Sequence, residues 1–249
     1  MKWDGIRHHD TRRRKVLLLS ISCLLARTAR QESRPTSVKL HWFQVAPNPT
    51  KVRLYVAEKN HAGAAIELES VVVKLPKGEQ RSPEFLSKNP FGGLPVLELD
   101  DGSTIVESLP IIDFLEELHP QPSLWGADAR SRARARELER IADVRLLSAV
   151  GRYIHATRSP VGLPPNPAIA EAAAAAWPQP LVYLNDVLAD GREFLCGSAP
   201  TVGDCTLQGA LQFARFGEVK LELETRYPHI ARWDIAYRER DVARQVLTL

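Results

Sequence analysis

The chain has 249 residues, 44% of them hydrophobic and 25% charged, with a formal net charge of +3. That is ordinary globular composition, long enough for one large domain or two small ones. The three cysteines, Cys23, Cys196 and Cys205, are scattered and show no CxxC, which argues against a disulfide framework and a spaced zinc site.

The positive charge belongs to one end. Residues 1–37 hold nine Lys/Arg and three Asp/Glu, leaving 24 basic against 27 acidic residues in the body. No basic face suited to a nucleic acid follows from that body. The tail contains "TRRRKVLLLSISCLLA", basic residues followed by a short apolar run. One reading is an export signal, faintly of the twin-arginine kind. The other is a disordered extension or a start placed too far upstream. The run is too short to cross a bilayer as a mature helix. The cysteine usage favours a reducing compartment, so a cytoplasmic protein is expected, with export as the alternative.

From Val38 the order of elements becomes readable. Val38–Val45 is rich in β-formers and reads as a strand. "PTKVRLYVAEKN" carries Val52, Tyr55 and Val56 at helical spacing. "AIELESVVVKL" reads as a second strand. In "SPEFLSKNP", Ser82 caps a short helix that opens on Pro83. "LPVLELD" and "STIVE" form a hairpin across Asp101-Gly102. "SLPIIDFLEELHP" reads as a helix capped by Ser108, with Ile111, Phe114, Leu115 and Leu118 on its apolar face. Strand–helix–strand requires a crossover and a parallel pair, while the hairpin is antiparallel.

The prolines of "HPQPSLWG" mark a linker. Beyond it every periodic segment is helical: a long helix through "ARSRARARELERIADVRLLSAVGRYIHAT", alanine-rich segments broken near Pro164–Pro167 and at Pro178 and Pro180, and two later helices. Thr201-x-x-Asp204 is a capping-box pair with Asp in place of Glu. The expected architecture is a tail (1–37), an α/β domain (38–120) and an all-helical domain (127–249).

Chemistry-bearing residues cluster in the first domain. Pro95 is either a plain strand opener or follows a cis bond from Leu94, which would leave the Leu94 backbone free to pair with an extended ligand. Ser108 and the helix N–H groups beside it suit a carboxylate, and Glu107 suits an ammonium. Together they describe the α-amino acid end of a ligand; the alternative is a plain cap beside a solvated Glu. The stretch "APNPTKVR" joins a strand to a helix without a Cys, Ser or Tyr. Asn48 there is either a turn residue or a donor to a ligand. Tyr153 and His155 are either pocket residues or ordinary helix positions. Arg53 reads as half of a structural ion pair, Asp204 as a cap, and Cys196 and Cys205 as packed thiols. The arginines of "ARSRARARELER" read as a solvated face or a dimer contact.

"KGEQRSPEFLSKNPFGGLPVLELDDGSTIVESLPIIDFLEE" resembles the N-terminal domain of cytosolic glutathione S-transferases, and "FLCGSAPTVGDCTL" resembles the capping region of their helical domain. The likeness runs from about Val38 to Val246 and is strongest to a theta-like fungal and bacterial subgroup. It implies a thioredoxin-like fold followed by an all-α domain, glutathione as co-substrate, no metal, conjugation of a small apolar electrophile, and a homodimer. It further implies that Glu107 and Ser108 hold the γ-glutamyl end, that Leu94 beside cis Pro95 pairs with the cysteinyl part, and that Gln80 meets the glycyl carboxylate. Tyr153 and His155 would face the acceptor. The departure is Pro47, which stands where theta-like members place a Ser that hydrogen-bonds the sulfur. The candidate donors to the thiol are then Asn48, the N–H groups near Thr50 and Lys51, or a bound water. The alternatives are a non-catalytic glutathione- or protein-binding member of the fold, or a glutathione-dependent thiol-disulfide oxidoreductase.

Overall fold

The computed structural model describes residues 38–248. The basic tail, with both readings of it and Cys23, lies outside the described residues.

Four short strands form one sheet: β1 (Lys39–Trp42), β2 (Glu69–Val72), β3 (Val96–Glu98) and β4 (Thr104–Val106). Their order is β2-β1-β3-β4. β1 and β2 are parallel, whereas β1–β3 and β3–β4 are antiparallel. The crossover between β1 and β2 is helix α1 (Pro47–His61). A short helix α2 (Pro83–Lys88) opens on Pro83, and the Ser82 hydroxyl accepts from the Phe85 N–H at 3.1 Å. Helix α3 (Ser108–Leu118) closes this part. It begins one residue earlier than a Ser108 cap requires. Glu107 holds the cap position and Ser108 is already helical, because φ at Glu107 is +71° and turns the chain there.

The remainder is helical: α4 (Ala129–Arg140), α5 (Ser148–Thr157), α6 (Pro167–Ala176), α7 (Pro178–Val187), α8 (Val202–Phe216), α9 (Leu223–Arg226), α10 (Pro228–Glu239) and α11 (Asp241–Arg244). The long helix read from the sequence is real but not uniform. A π-helical stretch, Ile141–Leu147, joins α4 to α5 without breaking the rod. Thr201 and Asp204 form the expected capping box, and Asp204 also accepts the Leu195 N–H at 2.9 Å. Burial pushes the Asp204 carboxyl up to about 6, against the donors that favour its ionised form.

One apolar core runs through both parts and includes Leu54 and Tyr55 of α1, Leu138 of α4 and Leu207 and Leu211 of α8. Helix α1 is buried on nearly all sides, so its charges are matched internally. Lys51 is fully buried and meets Glu139 at 3.0 Å and Asp143 at 3.2 Å. Glu58 accepts from Tyr237 at 2.8 Å and from Arg240 at 2.5 and 2.9 Å. Lys59 meets Glu116 at 3.1 Å and donates to the carbonyls of His119 and Pro122. Buried charges require such partners. These pairs fix the azimuth of α1 against the helices around it.

Candidate functional site

The sheet register gathers the candidate residues at one end. Trp42 and Val72 are partners at the C-terminal ends of the parallel strands. His41 pairs with Val96, and Val96 with Val106. The loops leaving β1 and β2, the Leu94-Pro95 step entering β3 and the Glu107-Ser108 step leaving β4 therefore share that end of the sheet.

The opening turn of α1 is short of donors. An α-helix leaves its first N–H groups unpaired within the helix. Here Pro47 and Pro49 have no N–H, and the Thr50 N–H is taken by the Ala46 carbonyl at 3.1 Å. Asn48 keeps a backbone N–H and a side-chain amide that have no partner among the described residues. The expectation that N–H groups near Thr50 serve a ligand is corrected accordingly. Val45, just before the turn, sits at φ +60°. That conformation is strained for a β-branched residue and costs on the order of 1–3 kcal/mol.

Two features hold the turn in place. The Thr50 hydroxyl donates to the Ala46 carbonyl at 2.9 Å and accepts from the Gln212 amide at 3.1 Å, and Gln212 accepts the Thr248 N–H at 2.9 Å. Gly209 of α8 lies against the turn, where a Cβ would come within 3.0 Å of the Pro47 carbonyl oxygen. No sequence pattern announced the Thr50–Gln212–Thr248 chain. A Gly inside an otherwise bulky helix was the available signal for the close approach.

The second half of the site leaves free donors and an unpaired stretch of backbone. The Leu94-Pro95 bond is cis. Neither the Leu94 N–H nor its carbonyl has a partner among the described residues. Ser108 is buried at the start of α3 while the Glu107 side chain is exposed. Pro110 has no N–H and the Ile111 N–H bonds the Glu107 carbonyl at 3.2 Å, so the Ser108 and Leu109 N–H groups remain free. A helix N-terminus with two free donors and a hydroxyl favours a carboxylate. Gln80 is buried in the turn after β2, and its Oε1 has no partner. Gly92, at φ +64°, lies where a Cβ would come within 3.0 Å of the Gln80 carbonyl, so the glycine loop is pressed onto this turn.

Between the opening turn and the helical part lies an apolar pocket of about 530 Å³, whose walls include Phe43, Val45, Pro47, His155, Phe213 and Phe216. Phe213 and Phe216 stack with centroids 6.0 Å apart. His155 contacts Ser159 at 3.0 Å, and burial lowers its pKa from 6.5. Tyr153 is placed elsewhere. It packs edge-on against Trp177 at 5.1 Å, because residues two apart on a helix point about 200° apart. Phe213 and Phe216 were not foreseen; their i, i+3 spacing at the end of α8 was the available signal. Among the described residues no group of His, Cys, Asp or Glu is arranged to hold a metal.

Comparison with known proteins decides the family. The model described as "Glutathione S-transferase, N-terminal domain" matches residues 40–123, and "Glutathione S-transferase, C-terminal domain" matches residues 166–233. The chain belongs to the glutathione S-transferase family. Glutathione S-transferase 2 of Saccharomyces cerevisiae is 29% identical over 209 residues, covering 82% of this chain and 86% of the yeast protein. Among solved structures, a glutathione S-transferase domain-containing protein from Marinobacter aquaeolei is 34% identical with a TM-score of 0.73, covering 82% of this chain and 99% of that one. A glutathione S-transferase from Methylobacillus flagellatus, solved with GSH bound, is 25% identical with a TM-score of 0.73 over 86% of this chain and all of that one. The transferase fold expected from the sequence, a small mixed sheet with helices followed by a helical part, is the fold observed.

Proposed function

We propose that this transferase-family protein conjugates glutathione to small apolar electrophiles. The supporting observation is that Pro47 contributes to the apolar pocket while the next residue, Asn48, carries the free donors of the turn. In this reading Glu107 pairs with the γ-glutamyl ammonium. Ser108 and the first N–H groups of α3 hold its carboxylate. The Leu94 backbone pairs with the cysteinyl residue, and Gln80 meets the glycyl end. Asn48 and the α1 N-terminus stabilise the thiolate.

The thiol proton leaves to solvent. The sulfur lone pair then forms an S–C bond to the electrophilic carbon, and on a halonitroarene the halide departs with the bonding pair. The protein's contribution is a lowered thiol pKa and alignment of two bound reactants. His155, half-buried with its pKa lowered by that burial, lies on the acceptor side, and Tyr153 stands outside this reading. A thiol-disulfide exchange role is disfavoured because the opening turn has no Cys.

The reading includes a homodimer. Phe91 is the large apolar side chain left most open to water among the described residues, 74% exposed. Phe91→Ser is expected to shift the particle to monomer size by light scattering. The direct test of function is turnover of a halonitroarene by the purified chain together with retention on immobilised glutathione. Retention without turnover of any electrophile in a broad panel marks a non-catalytic binder instead.

A further inference from the structure

Arg53 departs from its expected role as half of an ion pair. No carboxylate lies within ion-pair distance of it among the described residues, although every other charged group in the interior of α1 is matched. Its guanidinium stacks on the Trp42 indole at 3.8 Å, and one N–H reaches the Val246 carbonyl at 3.4 Å. Burial lowers its pKa. Removing a guanidinium from water without a counter-ion is unfavourable, and a planar fork with most donors unused matches a carboxylate.

The same group lines a pocket of about 480 Å³ beside β1, β2, α1 and α11, with Leu40, Val56, Leu68 and Val246 among its apolar walls. This pocket shares no lining residue with the one beside Pro47. The polar groups around it are largely occupied. Asn60 is used on both atoms by the Ile66 backbone, and Ser70 accepts the Trp42 indole N–H at 2.5 Å. Asp241 stands at the rim, 86% exposed, and faces Arg244 at 3.4 Å. Arg53 is thus the one strongly basic side chain lining an otherwise mostly apolar cavity, with His61 exposed at its edge.

We propose that this pocket is a second ligand site, which binds a small monocarboxylate with an apolar tail. The carboxylate engages the free edge of Arg53 and the tail lies against Leu40, Val56 and Leu68. The site is independent of glutathione and does not rest on the transferase reading.

The test uses octanoate as probe, titrated into the full-length protein by calorimetry and followed in parallel by indole fluorescence, because Trp42 forms the wall under Arg53. Saturable binding of octanoate is expected, with octanol bound at least tenfold more weakly. Arg53→Met is expected to weaken octanoate at least tenfold. Ser70→Glu provides a second variant on an exposed edge-strand position: it supplies a carboxylate from the chain itself at the indole that carries Arg53. It is expected to expel octanoate while the melting temperature is kept or raised. Glutathione at saturation should leave octanoate affinity unchanged. Equal affinity for octanol, unchanged binding in either variant, displacement by glutathione, or no saturation by octanoate would each overturn the proposal.

Discussion

Replacing Asn48 with Ala tests how the thiol is activated. A free thiol has a pKa of about 8.5, and one pKa unit corresponds to about 1.4 kcal/mol. Prolines and the Thr50–Ala46 bond leave the turn with one backbone N–H and one side-chain amide, both from Asn48. A hydrogen bond to a charged group contributes about 1.5–3 kcal/mol when buried, and less where water competes. Asn48 is only half-buried, so its side chain is assigned the lower end, about one pKa unit. The backbone N–H and the helix dipole survive the substitution and retain about 0.3–1 kcal/mol.

The variant should therefore raise the pKa of bound glutathione by about one unit. Below both pKa values the thiolate fraction, and with it kcat/KM, falls about tenfold; above both, the two proteins converge. The assay is ultraviolet thiolate absorbance of the glutathione complex across pH, together with kcat/KM for a halonitroarene over the same range. Affinity for glutathione should change little, because Glu107, Ser108 and Leu94 are untouched. Identical titration curves for the two proteins would refute the argument and return Asn48 to the role of a turn residue.

Lys51→Met removes one partner of a buried pair and leaves Glu139 with Arg140, at 2.7 Å, and the Thr206 hydroxyl, at 3.4 Å. A loss of about 3 kcal/mol is expected by denaturant titration, near the low end for buried pairs because Arg140 remains. Gln212→Leu leaves the Thr50 hydroxyl with only its bond to the Ala46 carbonyl and removes the acceptor of the Thr248 N–H, with an expected cost of about 1 kcal/mol. His155 has a folded pKa below its ordinary value of 6.5, so the folded state binds fewer protons than the unfolded one in that window. Stability is therefore lost as pH falls through it. NMR titration of His155 should show an imidazole that is neutral at pH 7 and charges only below 6.5, and His155→Phe should flatten the acid limb of the melting profile.

Much of the ligand end of the sheet was legible because local chemistry dictates it. Asp101-Gly102 specifies a hairpin, Leu94-Pro95 announces a strand entry, and Glu107-Ser108 precedes a helix whose Pro110 marks the first turn. Each needs only a few neighbouring residues. The charges of α1 were not legible. Lys51, Glu58 and Lys59 look solvated in sequence, yet their partners are Glu139, Arg240 and Glu116, up to 182 positions away. Pairing of that kind depends on tertiary packing, which helical periodicity does not encode. For the same reason Arg53 could not be told apart from its neighbours, although it alone lacks an acid. The π-helical stretch was hidden too, since one rod of good helix formers reads alike with either hydrogen-bond spacing.

In the proposed reading, Pro47 couples the activating group to the acceptor pocket. As the first residue of α1 it carries no N–H, and its ring offers the pocket only carbon. A Ser at this position would bring a hydroxyl to the thiol but also a polar atom into a wall built from Phe43, Val45 and Phe213. The chain keeps the wall apolar and leaves donation to the next residue. That arrangement works only if Asn48 is held in register, because a free N–H is useful in one direction. The register is set from the far side: Gly209 lets α8 approach the Pro47 carbonyl, and Gln212 grips Thr50. The helical part thus shapes the apolar pocket and, through two residues of a single helix, also aims the only unpaired donors in the first turn of α1.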